Sequence, residues 1–282
     1  MACRKVMHTE MDAKYYDMCG LALLKSFSVY HPDWELYVTD IGLTDAQRSE
    51  LDPHAKVVRR EKTAHGRWPM YFARMESMVD ILSYADLVCH FDGDVLIFAS
   101  MDPVFEAMEK QAAEVALVPR QDYLRRTIYN KNQLPKLFPD ANYEVWKDRP
   151  EICDGTYFLR NTPNVRALFT DILEKFDLIG IFAYGCQTWI SVAIYEGKVT
   201  FMPLPGLYDY NLGFGSIGVR ERIVPSMHPV SKDFEFLPLI HFTHAKYQLL
   251  STNGALSNTW RGWSRIVERF KQLPWPNQTT RE

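Results

Sequence analysis

The run Asp86-Leu-Val-Cys-His-Phe-Asp-Gly-Asp94 decides how the chain is read. Its first part is short, apolar and bounded by polar residues, the pattern of a strand covered on both faces. Before it, from Pro69 to Tyr84, Tyr71, Met75, Met78, Val79 and Leu82 recur at helical spacing behind a proline suited to a first turn. Further upstream the same alternation repeats. Lys5 to His8 reads as a strand, Asp12 to Tyr30 as a helical segment with Leu21, Leu24 and Phe27 on one stripe, and Glu35 to Thr39 as a strand. Thr44-Asp-Ala-Gln47 has the form of a capping box that opens a helix, and Ala55 to Val58 reads as one more strand. Strands and helices taking turns imply an α/β fold with a mainly parallel central sheet flanked by helices. Ligands of such sheets collect beyond the carboxyl ends of the strands. Asp92 and Asp94 stand at such an end.

Downstream, Arg120 to Pro150 is polar and irregular, with Arg120, Arg125, Arg126, Lys131 and Lys136 among tyrosines and prolines, and reads as a candidate mobile loop over the site. Thr156 to Arg160 reads as a strand, Pro163 to Phe176 and Cys186 to Tyr195 as helices, Val199 to Met202 and Leu237 to Phe242 as strands, and Trp260 to Phe270 as a last amphipathic helix. No repeat or Gly/Ser linker divides the chain, so the expectation is a single domain over 1–282.

The 282 residues, 47% of them hydrophobic, suffice for a substantial core. A net charge of −3 and a pI near 6.3 lack the basic excess of a sequence-independent nucleic-acid binder. Neither a signal-peptide run nor a stretch approaching the roughly 18 apolar residues of a spanning helix is present, and the expected location is cytoplasmic. The cysteines Cys3, Cys19, Cys89, Cys153 and Cys186 form no Cys-x-x-Cys and read as reduced thiols.

Two carboxylates separated by one glycine can converge on one small volume, since glycine permits the tight backbone. Mg²⁺ and Mn²⁺ take such oxygen ligands and complete their shells with phosphate. The same triplet also occurs as a plain solvated turn. A second cluster, Leu239-Ile-His241-Phe-Thr-His244-Ala-Lys246, sets two histidines and a lysine at the end of an apolar strand. Imidazole is an acceptable ligand for Mn²⁺, and an ammonium would pair with phosphate; a structural histidine and a surface lysine are the plain alternative.

In order along the chain, Leu23-Leu-Lys-Ser-Phe27, Tyr71-Phe-Ala-Arg74, His90-Phe-Asp-Gly-Asp-Val-Leu-Ile97, Asp154-Gly-Thr-Tyr-Phe-Leu-Arg-Asn-Thr162, Gly185-Cys-Gln187, Leu204-Pro205 before Asn211, and His241 to Lys246 resemble the GT-A glycosyltransferases. The closest likeness is to family-eight-like nucleotide-diphosphosugar transferases. The resemblance spans most of the chain and implies a Rossmann-like GT-A domain, with a nucleotide-binding half over 1–100 and an acceptor and sugar-binding half over 101–282. It implies metal-dependent transfer of a sugar from a nucleotide-diphosphate sugar, UDP-sugar favoured over GDP-sugar, to the hydroxyl of a glycan or other acceptor. Asp92 and Asp94 would be metal ligands, with His241 the third and His244 its alternative. Asp92, Gly93, Arg74 and Lys246 would contact the donor, while His8, Thr9 and Glu10 would lie where the base sits.

This chain departs from the family pattern at the reacting face. Cys153-Asp154-Gly155 replaces the usual Asn-Ser-Gly or Asn-Ala-Gly, and Cys186-Gln187 replaces Asp-Gln. His244 stands where glycine is usual, and Lys246 lies one residue closer to His241. Asp154 is therefore the candidate base of an inverting reaction and Gln187 the candidate polar group of a retaining one; the resemblance favours retention. A sugar-phosphate nucleotidyltransferase would carry a Gly-rich phosphate loop after the first strand, where this chain has Met-His-Thr-Glu-Met-Asp12. A non-catalytic sugar-binding relative would have lost metal ligands that are kept here.

Overall fold

Residues alternate sides along a strand, and the strands of this chain carry apolar side chains on both sides. In the computed structural model they form a seven-stranded sheet, packed on each face. The structure describes residues 3–60, 69–128, 131–140, 142–182, 185–204, 210–211, 239–241 and 267–276. The strands of the large sheet are β1 (Lys5–Met11), β2 (Glu35–Asp40), β3 (Lys56–Arg59), β4 (Leu87–Phe91), β6 (Val115–Tyr123), β7 (Pro150–Arg160) and β8 (Phe201–Pro203), in the order β3-β2-β1-β4-β7-β6-β8. A smaller sheet joins β5 (Val95–Ile97), β10 (Leu239–His241) and β9 (Tyr210–Asn211) in that order.

Strands β3, β2, β1 and β4 are mutually parallel, as are β6 and β8, while β7 runs antiparallel to both of its neighbours. The expectation of a mainly parallel sheet flanked by helices is met. One face packs Val6, Tyr37, Val88, Tyr157 and Leu159 against Met75, Met78 and Leu82 of the Pro69–Leu82 helix. The other packs Met7, Leu36, Val38, Cys89, Phe91 and Phe158 against Leu23, Leu24 and Phe27 of the Leu21–Tyr30 helix.

The capping box is present in full: Thr44 Oγ1 accepts from Gln47 N and Gln47 Oε1 accepts from Thr44 N, opening the Asp45–Leu51 helix. Two expectations are revised. Between the end of β6 and the start of β7, the 120–150 stretch holds short helical turns, Leu124–Thr127, Lys131–Gln133, Leu134–Leu137 and Tyr143–Trp146, and Leu124, Leu134, Leu137 and Trp146 anchor three of them in the core. Three strands and a longer helix absent from the sequence reading also appear: β5, β6, β9 and the Asp102–Lys110 helix. Of the expected last helix, residues 267–270 are helical and continue to 272; the rest of that span lies outside the described residues. Among the described residues no helix is long and apolar enough to cross a membrane.

Candidate active site

Strand β4 ends at Phe91, and the chain turns through Asp92-Gly93-Asp94 into β5. The turn is held by main chain: Asp92 N donates to Gly155 O of β7 at 2.8 Å, and Val95 N donates to Asp92 O at 3.1 Å. Gly93 fits because it has no side chain, since a Cβ there would stand 3.3 Å from Glu10 O and 3.3 Å from Tyr15 Cδ1. The carboxyl ends of β1 and β4 and the middle of β7 thus meet around one turn.

At the centre of this meeting is the Arg74 guanidinium, brought in from the Pro69–Leu82 helix and only 3% exposed. Its Nε donates to Glu10 Oε1 at 2.8 Å, and its Nη2 donates both to that oxygen and, at 2.7 Å, to Asp92 Oδ1. Its Nη1 reaches Asp154 Oδ2 at 3.4 Å and Asp154 O at 3.3 Å. Burial alone would depress the Arg74 pKa, but Glu10, Asp92 and Asp154 outweigh it and hold the guanidinium well above its ordinary value. Burial pushes the Glu10 carboxyl up to about 7, against the pull of Arg74. One cation thus gathers three acidic side chains from β1, the turn and β7, of which Asp92, at 29% exposed, is the one that reaches outward.

Asp92, Arg74, Glu10 and Asp154 lie together, Gly93 and Asp94 continue the turn, and Gln187, on the Cys186–Tyr195 helix, joins the cluster by accepting from Asp154 N at 3.4 Å. His241 comes to the turn through β10, which pairs antiparallel with β5 so that His241 stands opposite Val95, the residue after Asp94. His244 and Lys246 lie outside the described residues. His8, Thr9 and Glu10 are buried as whole residues.

Three residues given no role in the sequence reading, Thr39, Ser77 and His90, line up with His8 behind the turn. His90 stands opposite His8 in the β1–β4 register, and their Nδ1 atoms are 2.9 Å apart. His8 Nε2 is 2.9 Å from Thr39 Oγ1, which is 2.7 Å from Ser77 Oγ. At the other end His90 Nε2 lies 3.4 Å from Asp92 Oδ1 and 3.8 Å from Glu10 Oε2, while its ring stacks on Tyr157 at 4.5 Å. Burial, helped by His90 and Arg74, drives the His8 pKa well below its ordinary value, so His8 is neutral. The available signal was a polar residue at an inward position of a buried strand, repeated in β1, β2 and β4.

Comparison with solved structures gives this arrangement a context. The apo bifunctional glycosyltransferase WbbM matches with a TM-score of 0.57 at 14% identity, over 98% of this chain and 51% of that one, so this chain spans about half of WbbM. The galactosyltransferase LgtC, solved with donor and acceptor sugar analogs, matches at 0.55 and 12% identity over 95% of this chain and 97% of that one. Mouse xyloside xylosyltransferase 1 in its apo form matches at 0.52 and 13% identity, over 86% and 98% respectively. No protein-family model matches the sequence, and no curated protein does. The fold of the chain is that of the GT-A glycosyltransferases.

Proposed function

We propose that the chain transfers a sugar from a nucleotide-diphosphate sugar, UDP-sugar before GDP-sugar, to an acceptor hydroxyl with the aid of Mn²⁺ or Mg²⁺. The observation that carries this reading is the buried Arg74, which holds Glu10, Asp92 and Asp154 beside the Asp92-Gly93-Asp94 turn. The fold shared with LgtC, whose structure holds donor and acceptor sugar analogs, supports the same reading.

The donor set suits a divalent cation: carboxylates from Asp92 and Asp94, and an imidazole from His241, whose main chain stands beside Val95. His244 is the alternative third ligand. Such a cation, when bound, would neutralise the charge that develops on the departing diphosphate. The residues of the chain do the remainder. Arg74 fixes the Asp92 carboxylate by its Oδ1 oxygen and so presets the ligand geometry before the donor arrives. The end of β1, from His8 to Glu10, lies where the base would sit, and Lys246 pairs with the diphosphate.

Asp154 and Gln187 form the reacting face, linked by the bond from Asp154 N to Gln187 Oε1. The Asp154 side chain is 8% exposed and 3.4 Å from Arg74, a setting that suits orienting a sugar hydroxyl better than deprotonating an acceptor, and supports retention. A panel of nucleotide sugars incubated with and without Mn²⁺ tests the function. Release of nucleoside diphosphate from one donor, dependent on the metal and lost in Asp94→Ala, is the expected result. Proton NMR of the first-formed product reads the stereochemistry.

A further inference from the structure

The line of side chains behind the Asp92-Gly93-Asp94 turn has a direction. Alternation along β1, β2 and β4 sends His8, Thr39 and His90 to the face covered by the Pro69–Leu82 helix, where an apolar neighbour would otherwise sit. The line runs Ser77 Oγ, Thr39 Oγ1, His8, His90, with contacts of 2.7, 2.9 and 2.9 Å, and ends at Asp92 Oδ1, 3.4 Å from His90 Nε2. Both hydroxyls can donate or accept, and each neutral imidazole donates from one nitrogen and accepts at the other. The ends therefore set the polarity.

At the inner end stand two hydroxyls, Thr39 Oγ1 and Ser77 Oγ, each able to donate or accept. At the outer end His90 Nε2 faces Asp92 Oδ1 and, 3.8 Å away, Glu10 Oε2, a buried oxygen with no hydrogen-bond partner among the described residues. Ionised carboxylates only accept, so a bare lone pair on His90 Nε2 would face two negative groups, whereas an N–H there is attracted by both. A proton on Nε2 of neutral His90 leaves Nδ1 to accept, so His8 donates from its own Nδ1. His8 Nε2 then accepts from the Thr39 hydroxyl, which stands 2.7 Å from Ser77 Oγ. With both rings neutral, every member of the chain is satisfied.

We propose that His90 is a positioning residue for Asp92, held by His8, Thr39 and Ser77 in the tautomer that carries its proton on Nε2. Arg74 and His90 engage the same oxygen, Oδ1, from two directions, which fixes the rotation of the carboxylate as well as its place. A ring nitrogen's tautomer is set by the bond its partner nitrogen makes, and supports of this kind alter metal affinity without touching the metal. This inference rests on the donor-site reading only in what it expects of metal affinity; the tautomers themselves do not depend on it.

The tautomers are read first, by ¹⁵N NMR of histidine-labelled protein at pH 8, where Glu10 is ionised. The expected result is an Nδ1–H ring at His8 and a protonated Nε2 at His90, assigned by the loss of each signal in His8→Asn and His90→Gln. A bare Nε2 at His90 overturns the proposal. Mn²⁺ affinity in the presence of UDP is then measured by calorimetry on variants whose thermal melting shows them folded. His8→Leu, which removes the donor to His90, should weaken Mn²⁺ about tenfold. His8→Asn, which keeps an N–H near the Nδ1 position, should stay close to wild type, and His8→Leu should cost nothing further in an Asp92→Asn background. Equal affinity in wild type and His8→Leu overturns the positioning role, as does an equal loss in the Asp92→Asn background, which marks a general structural defect. A wild type that binds no Mn²⁺ with UDP refutes the donor-site reading, and the tautomers then decide the hydrogen-bond chain alone.

Discussion

Arg74 and Glu10 are the residues on which the site turns. A guanidinium can hold Glu10, Asp92 and Asp154 together because its nitrogens are spread over a plane, and the three carboxyl groups use Nε, Nη2 and Nη1. Arg74→Ala leaves these acids without their shared cation; unfolding by urea should show a loss of about 3–5 kcal/mol. Arg74→Lys should restore little of it, since a point charge cannot bridge the same three partners. The Glu10 carboxyl, raised by burial from 4.5 to about 7, keeps its proton in the folded chain over a range where the unfolded chain has lost it. The folded state then binds more protons than the unfolded one, so the contribution of Glu10 to stability falls as pH rises from 4.5 to about 7. Comparing the urea midpoints of wild type and Glu10→Gln across that range should show wild type losing ground to the variant as pH increases.

The elements show what sequence periodicity reads well and what it misses. The Pro69–Leu82 helix and the buried strand β4 are visible because each repeats its apolar pattern locally. The 9-residue strand β6 is not, since it contains Pro119, a residue that normally argues against an inner strand. The structure accommodates it at a shift of register against β7, between Leu117 and Pro119 and again before Tyr123. Strand β5 has three residues and gains its identity only from β10, more than a hundred positions later. The site divides in the same way. Asp92, Asp94 and the ordered motifs around them could be named from the sequence, whereas the partnership of His8 with His90, and of Arg74 with Glu10, depends on which strands become neighbours. An element-level check is available at Thr44, whose side chain caps the Asp45–Leu51 helix. Thr44→Ala should cost about 1 kcal/mol of stability while leaving Mn²⁺ affinity as it was.

For the whole molecule, the sheet brings distant segments to one edge, and the described part of the C-terminal region packs back on the N-terminal half. Lys25 Nζ donates to Lys271 O, Lys271 Nζ donates to Asp17 O, Phe270 meets Phe98 edge-on at 5.6 Å, and Trp275 stacks on His54 at 4.2 Å. Trp275→Ala should lower stability by about 1 kcal/mol. Donor chemistry at the Asp92-Gly93-Asp94 turn is the centre of the proposed function. The direct measurement is release of nucleoside diphosphate from a panel of UDP- and GDP-sugars, with and without Mn²⁺, for wild type and Asp94→Ala. The account predicts metal-dependent release from at least one donor by wild type and none by the variant. Binding and turnover of no nucleotide sugar by wild type, with or without the metal, would contradict it.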